Sequence, residues 1–290
     1  MRYERPESLG EAAALLAAPG AVPLAGGTDV AGQLDRRIRG ADVLVDLQAL
    51  GLGTMGVKGD GLTIGATATL SELAGSPHLA PYAAVATAAS LAASPLLRNV
   101  GTVGGNLCQH TRCWYYRGLE WTCWLGGGET CYAQIGDHRK HNLEPGDCIS
   151  AHPSDLAPAL AACGAAVSVS GPGGERELAL LDLYRQPTED NRSLLTLVPG
   201  ELVVSVELPA PPDASVYLRV GERQAFSFPL VSVAAARRAG VVRCVAAGVA
   251  NVPRELDPDD PLAGLPGNPQ SAWKRIVLAT LVERALAALD

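Results

Sequence analysis

The 290-residue chain has few aromatic side chains, 4% in all, and no apolar run long enough to span a membrane. It also has no surplus of positive charge, because 23 Lys and Arg face 30 Asp and Glu. We therefore expect no broad nucleic-acid-binding face. Residues 1–6 lack the apolar core of a secretion signal. A cytoplasmic protein is expected, with export in folded form on a partner's signal as the alternative.

The cysteine pattern argues against a disulfide framework, because seven is an odd count and a chain of this length can bury a full core. Cys163 and Cys244 each stand alone in apolar surroundings and are predicted to be buried small hydrophobic residues. The other five lie between residues 108 and 148. That segment needs a separate explanation.

The first fifty residues read as an α/β unit with a glycine turn at 25–28. Ser8 is predicted to cap a helix over 7–18, and further elements are a strand at 21–24, a helix over 29–39 and a strand at 42–47. Adjacent glycines at 26 and 27 let the backbone approach a phosphate. The alternative is a plain strand-to-helix turn, since neither a G-x-G-x-x-G motif nor a P-loop is present.

A second glycine turn spans residues 98–107 and follows a predicted helix over 81–97. Ser71 is predicted to cap a shorter helix before it. Three glycines of this turn permit close ligand approach, and Asn99, Thr102 and Asn106 supply amide and hydroxyl groups. Two such turns in one domain are more informative than either turn alone.

The segment between the second turn and residue 150 contains five cysteines, no C-x-x-C pair and several Trp and Tyr residues. Zinc-finger spacing and a ferredoxin run are both absent. Four separated thiolates suit a [4Fe–4S] cluster or zinc, and the aromatic residues would shield such a site from water. The alternative is a surface insertion with incidental cysteines.

The predicted fold class is α+β with two domains. Residues 1–175 form the first domain, with subdomains 1–55 and 56–175 and the cysteine-rich insertion at 108–150. Residues 176–290 form the second. It contains paired strands at 228–237 and 241–249 and a closing helix over 272–289.

The two glycine turns together resemble those of the FAD-binding subunit of molybdenum hydroxylases, the xanthine dehydrogenase family. This resemblance implies a two-subdomain FAD-binding fold of the vanillyl-alcohol oxidase type. It also implies two cofactor walls, the second continued by the Ser-Asp-Leu motif at 154–156. The implied FAD-binding residues are Ala25, Gly26, Gly27, Thr28, Asp29, Asn99, Gly101, Thr102, Gly104, Gly105, Asn106, Asp155, Leu202, Val203 and Arg219. For Leu202 and Val203 ordinary core packing is the alternative, and for Arg219 a surface charge.

Some members of the family, such as 4-hydroxybenzoyl-CoA reductase and bacterial aldehyde oxidoreductases, carry a [4Fe–4S] cluster in this same insertion. Matching their cysteine pattern implies four ligands here: Cys113, Cys123, Cys131 and Cys148. Cys108 is left out because it follows directly on the flavin turn. A histidine ligand from the same region is the alternative, although His152 is also placed to hydrogen-bond near the flavin.

The resemblance implies an electron-transfer flavoprotein subunit of a heterotrimeric molybdenum hydroxylase, with FAD and a [4Fe–4S] cluster as cofactors. The implied partners are a molybdopterin-binding large subunit, a [2Fe–2S] small subunit and a ferredoxin-like carrier. No catalytic residue is assigned to this chain, because nothing in it resembles a molybdopterin site. The alternatives are a free-standing FAD oxidoreductase and a zinc-stabilised scaffold.

Overall fold

Three β-sheets follow one another in the computed structural model, which describes residues 1–290. The first sheet is parallel, with strand order β1-β3-β2. Its elements are β1 (Arg2–Glu4), α1 (Leu9–Leu16), β2 (Ala21–Leu24), α2 (Val30–Asp35) and β3 (Val43–Asp46). The predicted cap is confirmed, since Ser8 Oγ accepts a hydrogen bond from the Glu11 amide at 3.2 Å. The helix after the glycine turn ends at Asp35, earlier than predicted.

The second sheet is antiparallel, with strand order β4-β5-β8-β6-β7. Its strands are β4 (Met55–Lys58), β5 (Gly61–Gly65), β6 (Ala166–Gly171), β7 (Gly174–Ala179) and β8 (Leu202–Leu208). The helices of this region are α3 (Leu70–Gly75), α4 (Ala83–Leu91), α5 (Pro95–Arg98), α6 (Val103–Leu107) and α9 (Leu156–Ala162). Helix α9 is buried along its whole length, so it anchors the chain again after the insertion.

Two local predictions in this region were wrong. Thr69, not Ser71, caps α3, because Thr69 and Glu72 form a reciprocal capping box. The Ser71 hydroxyl instead donates to the Asn99 side-chain oxygen at 2.6 Å. The helix predicted over 81–97 is two helices, α4 and α5, because Ala93 between them adopts a left-handed φ of 52°.

The insertion has little regular structure beyond α7 (Trp114–Arg117) and α8 (Tyr132–Ile135). Backbone hydrogen bonds join the last part of the insertion and the residues just after it to Val249 and Ala250, in the C-terminal part of the chain. The Leu143 amide donates to the Val249 carbonyl at 2.8 Å, and the His152 amide donates to the Ala250 carbonyl at 2.9 Å. Leu143 is fully buried in the core of the C-terminal part. The insertion is therefore packed into the fold.

The third sheet is antiparallel, with strand order β12-β11-β10-β9. Its elements are β9 (Ala214–Gly221), β10 (Pro229–Arg238), β11 (Val241–Ala247), β12 (Arg254–Leu256) and the closing helix α10 (Trp273–Ala287). Cys244 is buried in this core and Cys163 in the main one, as predicted. No helix here is both long enough and apolar enough to cross a membrane.

The predicted boundary at residue 175 falls inside β7, and the next strand of the same sheet begins at Leu202. Tyr217 and Ala234 of the third sheet belong to the same hydrophobic core as the second sheet. The division at residue 175 stays a prediction.

Candidate functional site

The two glycine turns meet in space. A Cβ atom placed on Gly26 would lie 1.7 Å from the carbonyl oxygen of Val100, so only glycine fits there. Gly27 adopts a left-handed φ of 68°, which also favours glycine. The second turn is fixed by a hydrogen bond at Gly101, whose carbonyl accepts from the Leu70 amide at 2.9 Å. The two motifs therefore form one structure, as the sequence suggested.

Two cavities open on either side of this meeting point. The larger has a volume of about 470 Å³ and the smaller about 260 Å³. They share part of their wall, namely Thr28, Asp29, Thr102, Gly105 and Gln109. Together they have the size of a pocket for a large organic cofactor. One elongated ligand can reach into both cavities along this shared wall.

Most of the predicted FAD-binding residues line these cavities. The smaller cavity is lined by Ala25, Gly26, Gly27, Gly104, Leu202 and Val203. The larger is lined by Gly101, Asn106 and Asp155. Thr28, Asp29, Thr102 and Gly105 line both. Asn99 and Arg219 line neither, since Asn99 accepts from Ser71 and Arg219 is paired behind the wall.

Asp29 ties the first turn to the insertion. Its carboxylate accepts from Arg117 Nη2 at 2.8 Å, from Arg112 Nη1 at 2.9 Å and from the His110 amide at 3.0 Å. Burial by itself raises the pKa of Asp29, but these donors outweigh it and hold the pKa below its ordinary value. Asp29 is therefore an ionised structural anchor at the point where the cavities join.

Asp155 forms a buried ion pair with Arg219. Arg219 Nη1 donates to Asp155 Oδ1 at 2.8 Å, and the Tyr217 hydroxyl donates to the same oxygen at 2.6 Å. Arg219 also donates to the carbonyls of Leu91 and Ser227. Burial raises the pKa of Asp155, and its two donors oppose that shift. The arginine predicted to reach the flavin edge thus acts on the cavity wall through Asp155.

Three residues that line the larger cavity each carry a buried polar atom without a partner. His152 Nε2, Arg112 Nε and His141 Nδ1 are buried and make no hydrogen bond, and all three residues line this cavity. Burial lowers the pKa of His152 to about 3, so its imidazole is neutral. Native proteins rarely leave such atoms unpaired. They are the hydrogen-bonding groups that a polar ring system in this cavity would satisfy.

A loop over 222–228 between β9 and β10 covers the larger cavity, and sequence reasoning did not identify it. It contains the chain's two phenylalanines, Phe226 and Phe228. The Arg112 guanidinium lies 4.2 Å from the centre of the Phe228 ring. Glu222 pairs with Lys140 of the insertion at 2.5 Å. The clustering of both phenylalanines in one loop was the available sequence signal.

The four cysteines predicted as ligands line a single small cavity inside the insertion, namely Cys113, Cys123, Cys131 and Cys148. Its remaining wall is mainly aromatic and apolar: Tyr115, Tyr116, Trp124, Leu125, Tyr132, Ala133 and Ser150. The neighbouring Cys148 thiol lowers the pKa of Cys131 from its ordinary value. No three His, Cys, Asp or Glu side chains converge as they would around one metal ion.

Cys108, the cysteine left out of the ligand set, lies elsewhere. It lines the smaller of the two joined cavities. Burial raises the pKa of its thiol to about 12. The structure therefore separates the five cysteines of the segment into one beside the glycine turns and four around the cysteine cavity.

Comparison with known proteins gives consistent results. Residues 1–211 match the family model described as the FAD binding domain in molybdopterin dehydrogenase. The chain is 36% identical over 267 residues to the aldehyde oxidoreductase FAD-binding subunit PaoB of Escherichia coli (strain K12), covering 89% of this chain and 84% of that protein. It is 31% identical over 221 residues to the carbon monoxide dehydrogenase medium chain of Afipia carboxidovorans, covering 74% of this chain and 60% of that one.

Two solved structures share the fold. A Cu,Mo-CO dehydrogenase chain superposes with a TM-score of 0.73 at 24% identity, over 100% of this chain and 97% of that chain. Quinoline 2-oxidoreductase from Pseudomonas putida 86 superposes with a TM-score of 0.71 at 20% identity, over 100% and 96%. The predicted α+β FAD-binding fold is confirmed.

Proposed function

The chain belongs to the family of FAD-binding domains in molybdopterin dehydrogenases, and on that premise we propose that it is the electron-transfer flavoprotein subunit of a heterotrimeric molybdenum hydroxylase. The proposed partners are a molybdopterin-binding large subunit and a [2Fe–2S] small subunit. A ferredoxin-like carrier is the proposed external redox partner. The cytoplasm is the proposed compartment.

The observation that carries the flavin part is that the two glycine turns meet at Gly26 and Val100, beside two cavities that share part of their wall. We assign the adenine end of FAD to the smaller cavity, against Leu202 and Val203, and the flavin ring to the larger one. FAD supplies the two-electron and one-electron chemistry when bound. The chain's own residues bind and orient it. His152, Arg112 and His141 offer hydrogen bonds, and the 222–228 loop limits the access of water.

For the insertion, we propose a [4Fe–4S] cluster held by Cys113, Cys123, Cys131 and Cys148. The support is their common cavity and its apolar wall. A cluster has its own irons and sulfides between the thiolates, so its ligands lie farther apart than those of a single ion. This explains why four cysteines can share a cavity without converging on one point. The chain's part is to hold the thiolates and exclude water.

An absorption spectrum of the purified chain separates the proposal from its rivals. Flavin bands with a broad shoulder at about 400 nm support FAD with an iron–sulfur cluster. Flavin bands alone would favour a free-standing FAD oxidoreductase. A colourless protein containing zinc would favour a metal-stabilised scaffold. Copurification of the native complex identifies the partner subunits.

The ligand assignment is tested by Cys123→Ser, with Cys108→Ser as the matched control. We expect Cys123→Ser to lose about four irons per chain and to keep FAD. Cys108→Ser should keep both iron and the cluster spectrum, because Cys108 lies outside the cysteine cavity. An unchanged iron content in Cys123→Ser would refute the assignment.

A further inference from the structure

Cys113 and His141 form the wall between the larger cavity and the cysteine cavity. Of the four cysteines in the cysteine cavity, Cys113 alone also lines the larger one. His141 lines the larger cavity next to it and is buried, with 2% exposure. Its Nε2 lies 3.1 Å from Cys113 Sγ. The thiol closest to the proposed flavin site is thus the one that a histidine contacts.

The chemistry of the sulfur decides which atom donates in this contact. A metal-bound thiolate carries no proton and can only accept a hydrogen bond. His141 Nε2 must then carry the proton, which leaves Nδ1 as an acceptor. Nδ1 is buried without a partner. The ring is held by packing, since Trp114 meets it edge-on with ring centres 4.9 Å apart.

We propose that His141 is a positioning residue that sets the reduction potential of the centre bound by Cys113. This inference rests on the cluster assigned above. The Nε2–H group donates to the Cys113 thiolate and places the positive end of its dipole at the sulfur. Reduction adds one electron and no proton to the centre, so this dipole stabilises the reduced form more than the oxidised form. Without the hydrogen bond the potential becomes more negative.

The role is specific to His141. Nearby His138 is also buried, but both of its ring nitrogens have protein partners. Nδ1 lies 3.0 Å from the Gly136 carbonyl, and Nε2 accepts from the Gln270 amide at 3.2 Å. His138 lines neither of the two cavities next to Cys113. It is a structural histidine and the natural control for a change at position 141.

The experiment compares His141→Met, which removes the donor, with His141→Gln, which keeps an N–H near the position of Nε2. Iron and FAD per chain are measured first, and the cluster potential is then followed by EPR during redox titration. We expect His141→Met to lower the ratio of reduced to oxidised cluster about tenfold at a fixed potential, a shift of about 59 mV for one electron. His141→Gln and His138→Met should retain the wild-type potential.

Pulsed EPR gives a second measurement, made first on the reduced wild-type protein. With ¹⁵N-labelled histidine, a ¹⁵N coupling to the cluster is expected in the wild type and absent in His141→Gln. A wild-type potential in iron-loaded His141→Met, or no ¹⁵N coupling in the wild type, would overturn the role of His141. A wild-type protein without iron would instead refute the proposed cluster itself, so the two failures are distinguishable.

Discussion

The Ser154 hydroxyl donates to the side-chain oxygen of Asn106 at 2.6 Å, although 48 residues separate them in sequence. Ser154 Oγ also accepts from the Ala157 amide at 2.9 Å, at the start of α9. The Ser-Asp-Leu motif therefore closes directly onto the second glycine turn, and the cysteine-rich insertion leaves and returns at one point. This geometry places the cysteine cavity beside the larger cavity.

Replacing Ser154 tests this closure. Ser154→Ala leaves Asn106 without its donor and removes the bond to α9, so we expect a loss of about 1–3 kcal/mol in the free energy of unfolding and weaker FAD binding. Urea unfolding and flavin titration measure the two effects. The control Ser90→Ala, on the exposed face of α4, should stay within about 0.5 kcal/mol of wild type. Equal effects at both positions would contradict the special role of Ser154.

Gly26→Ala tests the contact between the glycine turns. The new Cβ would collide with the Val100 carbonyl oxygen, so the two turns must separate. We expect most of the bound FAD to be lost and the melting temperature to fall by several degrees. Gly32→Ala is the control, because a Cβ there meets nothing within 4 Å and alanine favours helix α2. Full FAD content in purified Gly26→Ala would show that the contact is not required.

The buried imidazole of His152 predicts a pH dependence of stability. Its pKa is lowered from 6.5 to about 3 because burial disfavours the charged form. The unfolded chain therefore takes up the proton first, so the contribution is complete above pH 6.5 and is lost as the pH falls toward 3. The expected loss by pH 5 is about 2 kcal/mol.

Urea unfolding of the flavin-free wild type and of His152→Gln between pH 7 and pH 5 measures this loss as the difference between the two profiles, because burial also lowers the pKa of His110 and of His141 to about 4. His152→Gln should have a flatter profile, because glutamine does not titrate. His78→Gln, the same replacement at an exposed histidine, is the matched control. An unchanged slope in His152→Gln would assign the acid sensitivity to other groups.

Arg192 is expected to stabilise the turn that carries Cys123. Its Nη1 donates to the Trp124 carbonyl at 2.7 Å and to the Gly128 carbonyl at 2.6 Å, and its guanidinium lies 4.6 Å from the centre of the Trp124 ring. Arg192→Ala should therefore release iron to a chelator several-fold faster than wild type, with FAD retained.

Loss of visible absorbance over time measures that release. Arg243→Ala is the control, because Arg243 pairs with Glu255 on the third sheet, far in sequence from the four residues of the cysteine cavity, Cys113, Cys123, Cys131 and Cys148. Equal rates for wild type and Arg192→Ala would show that the turn holds its shape without this side chain.

Local sequence patterns predicted much of the candidate site. Glycines at 26 and 27 were predicted to let the backbone approach a phosphate, with a plain strand-to-helix turn as the alternative, and the structure shows that Gly26 admits no Cβ. The four cysteines were selected by family resemblance, and they line one cavity. The cap of α3 was misplaced by two residues, although Thr69 has Glu72 three residues on, which is the capping-box spacing, whereas Ser71 has Ala74 there.

The sequence by itself determined the features whose causes are local: the glycine turns, the cap of α1 and the grouping of five cysteines in one insertion. Only the tertiary structure decided what depends on distant partners. Arg219 neutralises Asp155 across 64 residues, Asn99 turns toward Ser71, and Cys113 with His141 separates two cavities. These pairings follow from three sheets packing together, and the spacing of residues along the chain does not encode them.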